Sequence, residues 1–224
     1  MKENEFLKEL EKNNILVSKA QLEMLNKYKK YLQEQNKLYN LTALITDEDI
    51  YLKHFYDSII ISKYYNFNNI ESLVDVGTGA GFPGVVLKIF FPNLKIYLVD
   101  SNNKKIKFLN DIIKMLDLKN IVAIHSRIED LDIKTDIVIA RAVGNISYLA
   151  ELSYNIYQKE LVLMRGRKEE ISKNLLENLN LSIEKQEEYL LPIAKDIRNI
   201  IVFKKEKHNN KYPRKYILIK KQIL

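Results

Sequence analysis

Cysteine is absent from the 224 residues of this chain, and histidine occurs only three times. Without cysteine the chain can form no disulfide, bind no zinc through thiolates and use no cysteine nucleophile. The three histidines, His54, His125 and His208, are too scattered in the sequence to indicate a metal cluster. We therefore expect no metal site in this protein.

Long apolar runs are also missing. No segment has about 18 consecutive apolar residues, the length that a helix needs to cross a bilayer. The first residues, MKENEFLKELEKNN, are charged and contain no apolar core of the kind that a secretory signal has. We expect a cytoplasmic protein with no membrane partner.

Acidic residues are nearly absent from the end of the chain. Residues 204–224 contain eight lysines and arginines against one acid, Glu206, so this segment carries +7, which equals the formal net charge of the whole chain. A basic segment beside an otherwise balanced protein fits contact with nucleic-acid phosphates. A tail that only improves solubility is the alternative.

Two kinds of apolar pattern divide the chain. Before residue 66, apolar positions recur every three or four residues, as at Leu22, Leu25 and Tyr28, which predicts helices. Later, short apolar runs alternate with amphipathic stretches, which predicts a parallel sheet wound by helices. The predicted parallel strands are SLVDV (72–76), KIYLVD (95–100), IVAIH (121–125), DIVIAR (136–141) and LVLMR (161–165).

The last part of the sheet follows a different pattern. Beyond Leu181, two extended segments have no long helix between them, which predicts antiparallel strands. We therefore expect an α/β fold, Rossmann-like and mostly parallel, with antiparallel C-terminal strands and an N-terminal helical cap. The predicted units are the helical cap at 1–65, the α/β domain at 66–204 and a basic C-terminal tail at 205–224.

The first predicted strand runs into a glycine-rich stretch, DVGTGAGFPG, at residues 75–84. Its last six residues form a G-x-G-x-x-G, which is typical of dinucleotide-binding loops. The same stretch also has the form D-x-G-x-G-x-G, which is typical of loops that hold a methyl donor. In either case Gly77, Gly79 and Gly81 let a cofactor approach the backbone closely. The stretch therefore predicts a cofactor site between a strand and a helix.

Two aspartates bear on the identity of that cofactor. Asp75 disfavours a diphosphate at the loop and suits a donor with an amino group and a sulfonium, although its carboxylate could instead only cap the loop. Asp100 ends the second strand, 23 residues after Gly77. An acid at that position can accept hydrogen bonds from both hydroxyls of an adenosine ribose, and a helix N-cap is the alternative.

Polar side chains also follow the third and fourth strands. Ile128 and Glu129 offer an apolar side chain and an acid, which suit the face and the amino edge of an adenine ring. Arg141 ends the fourth strand, so we expect its cation in the crevice, where burial would require a partner. A surface salt bridge is the alternative for Arg141.

Several further strings occur in a fixed order along the chain. They are NKLYNLTALI (36–45), HFYDSI (54–59), DVGTGAGFPG (75–84), the Asp-Ser of LVDS (98–101), SRIED (126–130) and ARAV (140–143). Together they resemble the bacterial 16S rRNA (guanine-N7) methyltransferases, the RsmG or GidB family. The resemblance implies a class I methyltransferase fold, S-adenosylmethionine as cofactor and 16S rRNA, or the small ribosomal subunit, as partner.

The resemblance also implies roles for individual residues. The implied cofactor-binding residues are Gly77, Gly79, Phe82, Asp100, Ile128, Glu129 and Arg141. Asn40, His54 and Asp57 would belong to the helical cap near the mouth of the crevice, whereas the residues alone predict a helix-surface position for His54.

Contacts with the RNA substrate are predicted at basic residues. Arg165, Lys211 and Arg214 are the candidates. The chain departs from the family at Arg165-Gly166, where Lys-Gly is common, and in its last nine residues, YILIKKQIL (216–224). Guanine N7 has a free lone pair and no proton to lose, so we expect no general base and name no catalytic acid or base.

Three other functions stay open at this point. The chain could methylate another RNA, it could be a nicotinamide-dependent oxidoreductase with GAGFPG as its loop, or it could bind RNA through its basic tail without catalysis. Binding of S-adenosylmethionine or of NADH discriminates the first two. We expect a monomer.

Overall fold

The computed structural model describes residues 1–166 and 169–220, in which helices cover both faces of a seven-stranded sheet. The strands are β1 (Ser72–Val76), β2 (Lys95–Asp100), β3 (Ile121–His125), β4 (Thr135–Arg141), β5 (Tyr157–Arg165), β6 (Leu181–Leu190) and β7 (Ile197–Lys205). The α-helices are α1 (Glu3–Lys12), α2 (Lys19–Tyr39), α3 (Asp47–Asp49), α4 (Asp57–Ile59), α5 (Gly84–Phe90), α6 (Asn103–Met115), α7 (Ile146–Leu152), α8 (Lys173–Leu179) and α9 (Tyr216–Lys220). Within these ranges no helix combines the length and the apolarity that crossing a membrane requires.

The order of the strands explains where a crevice opens. Neighbouring strands follow the order β3-β2-β1-β4-β5-β7-β6. Pairs among β1 to β5 are parallel, and β7 runs antiparallel to both β5 and β6. Because β1 lies between β2 and β4, the winding direction reverses there, and ligands of such sheets bind at the carboxyl ends of the strands beside that point. The predicted fold class is confirmed.

The helices before β1 pack against the same face of the sheet as α5 and α6. Ser18 caps α2, since its Oγ accepts a hydrogen bond from the Gln21 N–H at 3.2 Å. After α3 the chain continues as a π-helix at Ile50–Tyr56, then as α4 and a 3₁₀ turn at Ile60–Lys63. Buried residues of these segments, α3 excepted, join one hydrophobic cluster with β1, α5 and α6. The division at residues 65 and 204 stays a prediction.

Gly84 is the tightest glycine of the fold and gives a first prediction. A Cβ on Gly84 would lie 2.3 Å from Leu98 Cδ2 and 2.7 Å from Asp75 Oδ2. Because neither buried neighbour has room to move, we expect Gly84→Ala to lower the free energy of unfolding by about 2 kcal/mol in urea denaturation. Gly166→Ala is the control, since no described atom lies within 4 Å of its Cβ position. Equal stability of the two variants would contradict this account of the packing.

Candidate functional site

The glycine loop joins β1 to α5 at the carboxyl edge of the sheet. The N–H groups of Gly77 and Thr78 both donate to the carbonyl of Val99 on β2, at 2.8 and 3.1 Å. Gly77 has a φ of +65°, a conformation that side chains rarely adopt, and a Cβ there would lie 2.6 Å from Val143 Cγ2. The loop therefore brings bare backbone to the edge of the crevice.

Asp75 lies beneath this loop, with no exposed surface. Its Oδ2 accepts hydrogen bonds from Thr78 Oγ1 at 2.7 Å and from the Gly84 N–H at 2.8 Å. Burial raises the pKa of the Asp75 carboxyl to about 7. Because the carboxylate is enclosed, these contacts fit the alternative that it holds the loop, and the hypothesis that its charge faces a cofactor stays a prediction.

A cavity of about 450 Å³ opens beside the loop, at the carboxyl ends of β1, β2 and β4. Its lining includes five of the predicted cofactor residues: Gly77, Asp100, Ile128, Glu129 and Arg141. Ile128 and Glu129 lie in a 3₁₀ turn that follows β3. The cavity therefore presents two carboxylates, an apolar side chain and glycine backbone to one ligand-sized volume. We refer to it as the first cavity.

Asp100 connects the first cavity to the glycine loop. Its Oδ2 accepts a hydrogen bond from the Gly79 N–H at 3.0 Å, and its Oδ1 accepts one from the Asn102 N–H at 2.9 Å. Lys105 Nζ lies 3.4 Å from Oδ2. The N-cap of α6 is Asn102, whose side chain accepts from the Lys104 N–H. Asp100 thus stands before the cap position and keeps its carboxylate at the cavity.

A second cavity, of about 380 Å³, lies between the helical cap and the carboxyl ends of β4 and β5. Gly79 and Phe82, the other two predicted cofactor residues, line this cavity rather than the first. The two cavities share Gly77, Arg141 and Ala142, so they adjoin. Its charged lining residues in the described part of the chain are Lys53, Asp57, Arg141, Arg165 and Arg198. The lining therefore contains four cations and one acid, and Lys53 and Arg165 are each paired with a further acid, Asp49 at 2.9 Å and Glu169 at 2.6 Å.

Arg141 ties the helical cap to β4 at the boundary of the two cavities. Its Nη1 donates to the Lys53 carbonyl at 2.9 Å and to Asp57 Oδ2 at 3.3 Å. The same carboxylate accepts from Tyr189 Oη at 2.9 Å and from Arg198 Nε at 3.3 Å. Arg141 is thus paired with a buried carboxylate inside the crevice, and the alternative of a surface salt bridge for Arg141 was wrong.

His54 is buried between the loop and Arg141, where the residues alone predicted a surface position. Its ring stacks on Phe82 with centroids 4.2 Å apart. Burial, with the charge of Arg141, lowers the pKa of His54 to about 3. The neutral ring accepts from Arg141 Nη2 at Nδ1, 3.4 Å away, and its Nε2–H donates to Thr42 Oγ1 at 3.2 Å. His54 therefore fixes the Thr42 loop, Phe82 and Arg141 together.

Tyr28 supports the glycine loop from behind, a role that its position in the sequence does not indicate. It occupies the apolar face of α2, as predicted, and is fully buried. Its ring stacks on Phe82 at 5.3 Å between centroids, and its hydroxyl donates to the Ala80 carbonyl. A side chain predicted only from its helical spacing thus carries a polar contact to the site.

Arg165, a predicted substrate contact, donates hydrogen bonds to the protein from all three of its nitrogen groups. Its Nη1 and Nη2 donate to the carbonyls of Val143 and Gly144 at 2.7 and 2.8 Å. Its Nε donates to Glu169 at 2.7 Å. The guanidinium holds the loop that follows β4 and lines the second cavity at the same time. Contact of Arg165 with RNA stays a prediction.

The basic segment 204–224 begins with two lysines at the end of β7. Lys204 pairs opposite Glu160 near the start of β5, because β7 is antiparallel to β5, and therefore lies at the edge of the sheet away from the cavities. Lys205 Nζ donates to the Tyr154 and Tyr157 carbonyls at 2.6 and 2.5 Å. Residues 221–224 of the predicted tail lie outside the described residues.

The two predicted RNA contacts of the tail differ in their surroundings. Lys211 is exposed. Arg214 docks on α7, where its Nε and Nη2 donate to the two oxygens of the buried Glu151 at 2.7 and 2.5 Å. This bidentate pair anchors the tail to the body of the protein. Contact of either residue with RNA stays a prediction.

The anchoring role of Arg214 gives a second prediction. Arg214→Ala leaves Glu151 buried without its guanidinium, so we expect the free energy of unfolding to fall by about 2 kcal/mol, discounted because Arg214 is partly exposed. Urea denaturation measures the change. Lys211→Ala, which removes an exposed cation three residues earlier, should leave stability unchanged. If the two variants denature alike, the pair contributes no stability.

Arg198 is a second residue of the site whose role the sequence does not indicate. It lies on β7, within a strand predicted only as extended, and reaches across to Asp57 of the helical cap. The two residues are 141 positions apart in the chain. Neither composition nor spacing indicates such a contact, because it depends on how the antiparallel end of the sheet packs beneath the cap.

Comparisons with known proteins agree with this architecture. The magnesium protoporphyrin IX methyltransferase of Synechocystis, solved with bound S-adenosylmethionine, has a TM-score of 0.58 at 12% identity, covering 80% of this chain and 97% of that one. An S-adenosylmethionine-dependent methyltransferase from Aquifex aeolicus has a TM-score of 0.56 at 16% identity, covering 74% of this chain and 97% of that one. At these identities the likeness shows the fold, that of class I methyltransferases.

Closer relatives show the family. The ribosomal RNA small subunit methyltransferase G of Mesoplasma florum is 43% identical over 209 residues, covering 88% of this chain and 87% of that protein. The same enzyme of Bacillus cereus is 41% identical over 224 residues, covering 94% of each. The sequence model of the GidB family, described as rRNA small subunit methyltransferase G, matches residues 21–201. The chain therefore belongs to the GidB family of rRNA small subunit methyltransferase G.

Proposed function

We propose that this protein transfers a methyl group from S-adenosylmethionine to N7 of a guanine in 16S rRNA. The observation that carries the proposal is the pair of adjoining cavities, which meet at Gly77 and Arg141. One cavity suits an adenosine-containing donor, and the other opens beneath the helical cap, where an acceptor base can enter. Family membership supports an rRNA substrate.

The residues of the first cavity fit the methyl donor. Gly77 offers a backbone surface that a Cβ would fill, since the added carbon would meet Val143. Asp100 would hold the ribose hydroxyls, and Ile128 with Glu129 would contact the face and the amino edge of the adenine. When bound, S-adenosylmethionine supplies an electrophilic methyl group on its sulfonium. A cavity of about 450 Å³ is in the range of small-molecule sites.

The rest of the mechanism is positioning and exclusion of water. Guanine N7 attacks with its own lone pair, so the protein needs no general base. His54 cannot serve as one in this arrangement, because Arg141 already occupies its Nδ1. Arg141 and Asp57 fix the cap over the second cavity, and Leu41 and Leu44 line its apolar side. Holding the two reactants in line is the main source of rate acceleration expected here.

An unstacked target base is part of the proposal. The second cavity lies under the cap, so a guanine must leave its stack to reach the shared boundary at Gly77 and Arg141. One chain builds both cavities, which supports a monomer as the active form. A ribosomal RNA substrate supports a cytoplasmic enzyme whose partner is 16S rRNA or the small ribosomal subunit.

Ligand-dependent melting tests the choice of cofactor. S-adenosylmethionine at about 100 times its dissociation constant should stabilise the folded protein by about 2.7 kcal/mol and raise the melting temperature. NADH at the same concentration should leave it unchanged. A shift with NADH, or none with S-adenosylmethionine, would favour the oxidoreductase or the non-catalytic alternative.

A further inference from the structure

Arg165 and Arg198, two of the three arginines that line the second cavity, differ in how many of their donors the protein uses. All three nitrogen groups of Arg165 have acceptors on Glu169, Val143 and Gly144. Arg198 donates from Nε to Asp57 and from Nη1 to the carbonyl of Ile197 at 3.0 Å. Its Nη2 lies 4.0 Å from the nearer oxygen of Asp196, beyond hydrogen-bonding distance. The outer end of Arg198 therefore keeps donors for a ligand.

Arg198 is also the most exposed of the three arginines that line the second cavity. The side chain of Arg198 is 20% exposed, compared with 14% for Arg141 and 11% for Arg165. Arg198 lines the second cavity and also reaches solvent, so it stands at the rim. Arg141 lies at the inner boundary, where the cavities meet. When the target base lies in the second cavity, the RNA backbone next to it would lie close to Arg198.

Asp57 aims the Arg198 guanidinium. The carboxylate is 7% exposed, and it accepts from Arg198 Nε at its side facing β7. Tyr189 and Arg141 occupy the same carboxylate from other directions, so Asp57 has a fixed orientation. Because buried Asp57 holds Nε, the orientation of the Nη end of Arg198 is fixed.

We propose that Arg198 binds a backbone phosphate of the RNA beside the target nucleotide, with Asp57 as the positioning residue that aims it. This rests on the proposed function, since it assumes an RNA acceptor in the second cavity. The Nη donors of Arg198 that the protein leaves unused favour an anion at the rim, and a planar guanidinium fork matches phosphate oxygens. A guanidinium on guanine O6 would instead withdraw electron density from the ring whose N7 must attack.

Salt-dependent RNA binding tests the proposal. Binding of a full-length 16S rRNA transcript to the full chain is measured across a KCl series, with saturating S-adenosylhomocysteine. Arg198→Gln should weaken binding about tenfold and reduce the slope of log K against log [KCl] by about 0.7 to 0.9, the value for one phosphate contact. Arg198→Lys should keep the slope and lose part of the affinity, because its charge remains without the fork.

Lys195→Gln is the matched control. Lys195 is an exposed cation in the turn between β6 and β7, only three residues from Arg198, and it does not line the second cavity. It should leave both affinity and slope unchanged. All three variants should bind S-adenosylmethionine as the parent protein does, which separates an RNA effect from misfolding.

Two results would overturn the assignment of Arg198. An unchanged slope with Arg198→Gln would mean that no phosphate contact was lost, and weaker binding with that unchanged slope would point to a base edge. An equal loss of RNA affinity with Lys195→Gln would mean that the effect comes from the net charge of the protein and not from a contact of Arg198. Failure of the proposed function looks different, because the parent protein itself would then bind S-adenosylmethionine without methylating 16S rRNA.

Discussion

Asp100→Ala is expected to weaken the binding of S-adenosylmethionine about 100-fold. The carboxylate is nearly buried at the first cavity and would accept hydrogen bonds from the ribose, each worth about 1.5 to 3 kcal/mol when the acceptor is charged. It also holds the Gly79 N–H at 3.0 Å, so its loss loosens the glycine loop. Titration calorimetry of the purified protein measures the dissociation constant.

Two further variants sharpen this test. Asp100→Asn keeps one carbonyl oxygen, so its affinity should fall between those of the parent protein and Asp100→Ala. Asp117→Ala is the control, because Asp117 is 83% exposed and lies outside both cavities. A dissociation constant that Asp100→Ala leaves unchanged would remove Asp100 from the donor site.

His54 should make the protein lose stability in mild acid. Burial and Arg141 lower the pKa of His54 to about 3, whereas an unfolded chain takes up this proton near pH 6.5. As the pH falls below 6.5 the unfolded state gains a proton that the folded state refuses, so stability is lost. Between pH 6.5 and pH 4 this amounts to about 3 kcal/mol.

Urea denaturation of His54→Gln against the parent protein isolates this effect. The variant has no group that titrates at this position, so the parent protein should lose about 3 kcal/mol more than the variant over that pH range. Asp75, whose pKa is raised, acts in the opposite direction, but both proteins contain it. His125→Gln, at an exposed position, should follow the parent protein. Parallel pH curves for His54→Gln and the parent protein would show that His54 is not held neutral.

The sheet could be predicted from the sequence because its strands are local apolar runs. Three predicted strands, at 72–76, 95–100 and 121–125, have the observed bounds, and β5 extends four residues earlier than predicted, to Tyr157. Buried parallel strands carry their pattern in consecutive residues, so no tertiary information is needed to find them. The glycine loop follows for the same reason, since its residues are adjacent in the chain.

The arrangement of the second cavity could not be predicted from the sequence in the same way. His54 lies in a π-helix, whose i→i+5 hydrogen bonds change the faces that a 3.6-residue period predicts. Arg198 and Asp57 meet only because β7 packs beneath the helical cap. Both roles of Asp75 stayed open in the sequence, because a loop pattern cannot tell a carboxylate above the loop from one buried under it.

The most direct test of the account is mass mapping of 7-methylguanosine in 16S rRNA from cells with and without this protein. We expect one guanine to carry an N7 methyl group only when the protein is present, and we expect its methylation to return with the parent protein but not with Asp100→Ala. An identical methylation map in both cells, or a methyl group that depends on the protein at a site other than guanine N7, would contradict it.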